Sequence, residues 1–142
     1  MASKDLHNNI NKVVALNQTT ITTDTTTNGN IIDLQGYGAC EFLIMAGTIT
    51  DGDYLPLIQE GDESNLSDAA AVADADLLGT EAGAQFVTNT DDNQVSSIGY
   101  VGNKRYVRLN LVSTNTATNG ATFTGIALRG YPEDAPVTNA TP

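Results

Sequence analysis

Carboxylates are the side chains in this chain most able to do chemistry. Asp51 and Asp53, then Glu60, Asp62 and Glu63, then Asp74 and Asp76, recur one or two residues apart. Such groups could supply oxygens to calcium, or two of them could serve as acid and base on a glycosidic bond. Each chemistry needs more than carboxylates. From Asp74 the run departs from a calcium loop, with Leu78 at the third ligand position and Gln85 where a bidentate Glu belongs. Sugar stacking needs aromatic residues, and the chain has three Phe, five Tyr and no Trp. Solvated acidic turns are the simpler reading, ahead of calcium at Asp51, Asp53, Asp74 and Asp76, and further ahead of glycosidase work.

Other reactive constellations are incomplete. His7 is the one histidine, near the N-terminus and away from any expected strand, and no Gly-x-Ser-x-Gly elbow occurs. One Cys and one His cannot build a zinc site. Gly36-Tyr-Gly-Ala-Cys-Glu41 opens like a dinucleotide fingerprint but lacks the third glycine and a following helix. Cys40 lies in an apolar run, where a thiol is expected to act as a small buried hydrophobe. The expectation is no enzyme and no cofactor.

Charge speaks more about partners. No Lys or Arg lies between Lys12 and Lys104, while eleven acids lie from Asp51 to Asp92; then Lys104, Arg105 and Arg108 arrive together. A net charge of -11 argues against nucleic acid, since phosphate binding needs cations. The start of the chain lacks a signal-like apolar run and no stretch of about 18 apolar residues exists, so synthesis in the cytoplasm and no membrane partner are expected. The basic group has two readings: ion pairs with the chain's own acids, or a docking patch of Lys104, Arg105 and Arg108 flanked by Tyr106.

The elements that must position these residues follow from composition. Thr, Asn and Gly are abundant and Lys and Glu sparse, which favours short strands and polar turns. The expected class is all-β: an antiparallel two-sheet β-sandwich, with the jelly roll as the arrangement considered and one short helical or loop excursion around 64–78. Residues 1–11 read as an extended N-terminal arm, with Leu6 and Ile10 as its apolar contacts. Residues 12–130 read as the sandwich, and 131–142 as a Pro-containing tail.

Within the sandwich, Lys12–Leu16 and Thr19–Thr23 read as strands before an Asn28-Gly29 turn. Ala39–Ile49 is so continuously apolar that it reads as a strand covered on both faces. Asp51-Gly52 reads as a hairpin turn into Tyr54–Ile58, where Pro56 implies an edge or a bulge. Gln85–Thr88 is a further strand, and Gly102-Asn103 reads as a hairpin turn joining Val95–Val101 to Lys104–Ser113. After Asn119-Gly120, Thr122–Arg129 places Ile126 and Leu128 on one face and Phe123 and Ala127 on the other.

A resemblance runs through these segments. Ile32-Asp-Leu-Gln-Gly-Tyr37, Thr50-Asp-Gly-Asp-Tyr54, Ile58-Gln-Glu60, Asp74-Ala-Asp-Leu-Leu-Gly-Thr80, Gly99-Tyr-Val-Gly-Asn-Lys-Arg-Tyr-Val-Arg108, Gly130-Tyr-Pro132 and Ala135-Pro-Val137 together resemble a family of small virion proteins of tailed bacteriophages and prophages. Members are regarded as capsid decoration or cement proteins. The resemblance implies a location on the capsid exterior, the major capsid protein as partner and no catalysis, and it carries no binding residues over. Linked copies would add avidity on such a shell, so a homotrimer or other ring is expected. A carbohydrate-binding β-sandwich of a head spike or fibre, with calcium at the acidic turns, is the alternative.

Overall fold

A computed structural model describes residues 4–87 and 90–138. Residues 1–3 of the expected arm, Thr88 of an expected strand and residues 139–142 of the expected tail lie outside the described residues. The described residues form nine strands: β1 (Asn11–Ile21), β2 (Thr26–Asp33), β3 (Tyr37–Ile49), β4 (Asp53–Gly61), β5 (Ala70–Ala71), β6 (Leu77–Leu78), β7 (Val95–Tyr100), β8 (Tyr106–Thr114) and β9 (Ala121–Pro132). They make two antiparallel sheets, β1-β9-β3-β7-β6 and β2-β8-β4-β5. The fold is an all-β two-sheet sandwich.

Its wrapping follows one rule. β4 pairs β5, β3 pairs β7, β2 pairs β8 and β1 pairs β9, all antiparallel. These are the successive rungs of one long hairpin, and β3 with β9 and β4 with β8 then join the rungs into two sheets. That is the pairing of a jelly roll. Strands with period-two burial drive it, because each can hide one face only against the opposite sheet. Phe42, Ile44, Ile98 and Phe123 of one sheet meet Tyr54, Ile58, Val107 and Leu109 of the other, all buried. Phe123 centres this layer, with ring centroids 4.6 Å from Tyr54 and 5.4 Å from Phe86.

Three expected turns are corrected. Asp51-Gly52 and Gly102-Asn103 are not hairpins, because β3 and β4, and likewise β7 and β8, lie in different sheets. Both loops carry the chain across the sandwich while Tyr54 and Tyr100 enter the core. Asn28-Gly29 sits inside β2 at an irregularity of the β2–β8 register. Lys12–Leu16 and Thr19–Thr23 merge into the single strand β1, bent by two register shifts.

Of the expected strand Gln85–Thr88, the described residues 85–87 contribute one bridge, Phe86 to Tyr54. The excursion around 64–78 holds a 3-10 turn at Asp74–Asp76 and the short β5 and β6. Pro56 behaves as expected: Tyr54 N–H points away from β8 to the Phe86 carbonyl, so Pro56, two residues on, turns its nitrogen to the same open edge.

The described residues before β1 and after β9 meet each other. Residues 4–10 turn instead of extending, with Asn9 N–H donating to the Leu6 carbonyl and the Asp5 carboxylate accepting from Asn8. Val137 N–H donates to the Asn8 carbonyl, and Asn11 Nδ2 donates to the Thr138 carbonyl. The expected arm and tail thus fold onto one another in the described part.

Candidate interaction surface

β3 sits in the middle of the five-stranded sheet. Cys40, Phe42, Ile44 and Ala46 point into the sandwich and are buried, whereas Leu43 is half-buried and Met45 is 52% exposed. The expectation that β3 is covered on both faces is therefore corrected: this chain covers only one. The register spreads the uncovered face across neighbouring strands. One row runs Val14, Ile126, Leu43, Ser97, and the next places Met45 between Thr124 and Val95. Val14, Val95 and Ile126 are 52%, 59% and 42% exposed.

The row on the other side runs Lys12, Leu128, Glu41, Gly99. Lys12 and Glu41 are the charged side chains these rows contribute. Beyond them the face opens into a groove of about 740 Å³, lined among others by Leu6, Ile10, Leu78, Val101, Leu128 and Tyr131. Leu6 and Ile10, expected as arm contacts, thus flank the end of this sheet face. Sequence reasoning missed the surface because a continuous apolar run signals a doubly covered strand, and the covering partner was taken to be internal.

The opposite outer face is mixed, with Ile31, Leu55, Leu57 and Val112 exposed or half-buried there beside Gln59 and Arg108. Gln59 Oε1 accepts from Arg108 Nη2 at 2.7 Å and from Asn110 Nδ2 at 2.7 Å, tying β8 to β4. Lys104 Nζ lies 2.5 Å from Asp62, and Arg105 donates through Nε and Nη2 to both oxygens of Asp33 at 2.9 Å. The Arg105 guanidinium holds Asp33 below the usual carboxylate range and lies 5.0 Å from the Tyr106 ring centre. The candidate docking bases are thus held by the chain's own groups and lean different ways, Lys104 toward the β4–β5 side and Arg105 toward β2. Both ion pairs are exposed. Arg129 faces inward, donating to the Asp33 carbonyl at 2.8 Å and to Asn11 Oδ1.

The residues weighed as calcium ligands are placed apart. Asp51 accepts backbone N–H groups from Ala117, Thr118, Asn119 and Gly120 at 2.9–3.3 Å, and these bonds, that from Asn119 foremost, lower its pKa. Its carboxylate closes the β8–β9 loop. Asp53 accepts from Asn115 Nδ2 at 3.0 Å, and Asp74 and Asp76 lie in the 3-10 turn. Among the described residues no three His, Cys, Asp or Glu gather as a metal shell. Other acids also cap loops: Asp68 accepts from Asp62 and Glu63 N–H, Asp92 from Ile49 N–H and Glu81 from Ile58 N–H. Acid-to-amide pairing of this kind has no fixed sequence spacing.

No protein-family model matches the chain, and no curated protein sequence matches it. No helix among the described residues is long and apolar enough to cross a membrane. Cys40 is 3% exposed, and burial pushes its thiol up to about 12, so it packs as the apolar residue expected. The arrangement presents one apolar sheet face, one face of mixed character and a rim of capped acidic loops.

Proposed function

We propose that this chain is a non-catalytic virion protein of a tailed bacteriophage, bound as an oligomer to the outside of the capsid shell through the major capsid protein. The observation that carries the reading is the open apolar face around Leu43, Met45 and Ile126, since a contiguous apolar face left on a folded domain marks an interaction surface. The sequence resemblance supports a capsid as the larger assembly.

Contact with the shell itself falls to Lys104, Arg105 and Arg108. Exposed ion pairs contribute little to folding and exchange partners readily, which supports this role for Lys104 and Arg105, while Arg108 follows them in β8, held by Gln59. Weak single contacts suffice when several copies are linked.

Imaging particles assembled with and without the chain, together with co-sedimentation on purified shells, tests the reading. The expected result is added density on the shell exterior and a pelleted chain, with less of it pelleted after Lys104, Arg105 and Arg108 are neutralised together. A chain that stays in the supernatant with every shell preparation overturns it.

A further inference from the structure

We infer that the outer face of the five-stranded sheet is the interface with a second copy of this chain, packed sheet to sheet about a two-fold axis running along β9. The inference rests on the reading above only in giving the oligomer a surface. Three observations carry it: apolar continuity, sparse charge and self-complementarity.

The apolar side chains are contiguous. Val14, Ile126 and Leu43 lie side by side on β1, β9 and β3, and Met45 adjoins Val95 of β7. Stacked sheets pack at about 10 Å with nearly aligned strands, so a second copy turned about β9 would bury the Val14, Ile126 and Leu43 row across β1, β9 and β3 and leave Val95 on β7 at its margin.

Charge decides the occupant. The chain carries -11, yet these rows contribute one acid, Glu41, and one base, Lys12. A strongly basic partner would gain little here, and a strongly acidic one would face Glu41 with a single compensating cation. A copy of the same surface is neutral against itself.

The geometry supplies the pairing. Lys12 and Glu41 flank Leu128 in one row, one strand to either side of β9. A two-fold along β9 therefore sets Lys12 of each copy opposite Glu41 of the other. The same axis stacks Ile126 on Ile126 and Val14 on Leu43. An isologous interface requires this reciprocity. Neither Lys12 nor Glu41 forms an ion pair within the described residues, so both are available.

Sedimentation velocity on the purified full chain tests it with no shell present, so the outcome is independent of whether shells bind. The expected species has twice the 14.9 kDa chain mass at micromolar concentration. Ile126→Lys and Met45→Lys, both at exposed positions, give monomers with an unchanged β circular-dichroism spectrum. Lys12→Glu weakens dimerisation by about tenfold, and adding Glu41→Lys restores it to within about threefold. The charge swap leaves the core untouched, so it reads the interface even if the lysine variants misfold. A wild-type chain that stays monomeric, a dimer that survives Ile126→Lys and Met45→Lys, or a double swap no better than Lys12→Glu alone overturns the inference. A monomer whose face is protected from labelling only on shells would give the surface to the capsid protein instead.

Discussion

Tyr100 donates its hydroxyl to Glu60 Oε2 at 2.6 Å, linking β7 of one sheet to β4 of the other. The Tyr100 hydroxyl oxygen in turn accepts from Lys104 N–H at 2.9 Å, so one phenol fastens both the sandwich and the loop that crosses it. Tyr100→Phe keeps the ring but leaves the Glu60 carboxylate and the Lys104 amide without this partner. The expected loss is about 1–3 kcal/mol, or roughly 3–10 °C in Tm, read by urea and thermal unfolding. Burial and Glu60 both raise the Tyr100 pKa. Stability from this group is therefore full below the ordinary tyrosine value near 10 and is lost as pH rises above it, which an alkaline melt series would reveal as a slope missing from the variant.

Asp51 should make the β8–β9 loop sensitive to acid. Its pKa is lowered in the fold by four amide donors, and those of Asp33 and Asp68 are lowered as well. Depressed carboxylates stabilise above their unfolded value near 3.9, and that contribution fades as pH falls through the folded value. Tm should thus drop below about pH 4. Asp51→Asn should flatten that acid limb, and hydrogen exchange should show faster amides at 117–120. An unchanged limb would mean that the four bonds add nothing to stability.

At Gly29 any side chain is excluded. A Cβ there would fall against the carbonyl oxygens of Ala15 in β1 and Leu109 in β8, both backbone atoms that cannot swing aside. Gly29→Ala should destabilise by about 1–3 kcal/mol or more, with the melting midpoint in urea as the readout. A neutral outcome would show that β2 can slide at its irregularity.

Gly29 also shows what the sequence could convey. Asn28-Gly29 carries the chemistry of a tight turn, but that chemistry describes local backbone preference, and here it serves a close approach between strands far apart in sequence. Asp51-Gly52 and Gly102-Asn103 were misread for a related reason: a reversal signal does not say whether the next strand pairs with the last or crosses to the other sheet. That choice is made by where Tyr54 and Tyr100 can be buried. Alternation within β8 and β9, the Pro56 edge and the burial of Cys40 were legible because each depends on neighbours one or two residues away. The apolar face was half legible: the run in β3 was visible, its missing cover was not.

Lys104 and Arg105 make the chain's two ion pairs among the described residues, both exposed. Solvent and side-chain entropy leave such pairs little net worth. Lys104→Ala and Arg105→Ala should each move Tm by no more than about 2 °C, even though the Arg105–Asp33 pair is bidentate. A much larger drop in a thermal melt would show that these residues organise the β7–β8 crossover and would remove them as exchangeable contacts for a shell.

Cys40 gives the most direct test of the sandwich itself. Its side chain points between the sheets, and its thiol is raised to about 12 chiefly by burial, with Arg129 opposing and Glu41 adding. At pH 8 roughly one molecule in 10⁴ would carry the thiolate, against about one in four for a free thiol of pKa near 8.5. Reaction with a disulfide reagent should therefore be slowed by about a thousandfold in the native chain and become fast in denaturant. The sign of the pH effect follows: the unfolded thiol ionises above about 8.5 while the folded one does not, so this group's contribution declines as pH rises from there toward 12. Rapid native labelling would place Cys40 on the groove side of β3. Because inward and outward residues alternate, that would reverse the faces of the whole strand and expose Phe42 and Ile44 in place of Leu43 and Met45.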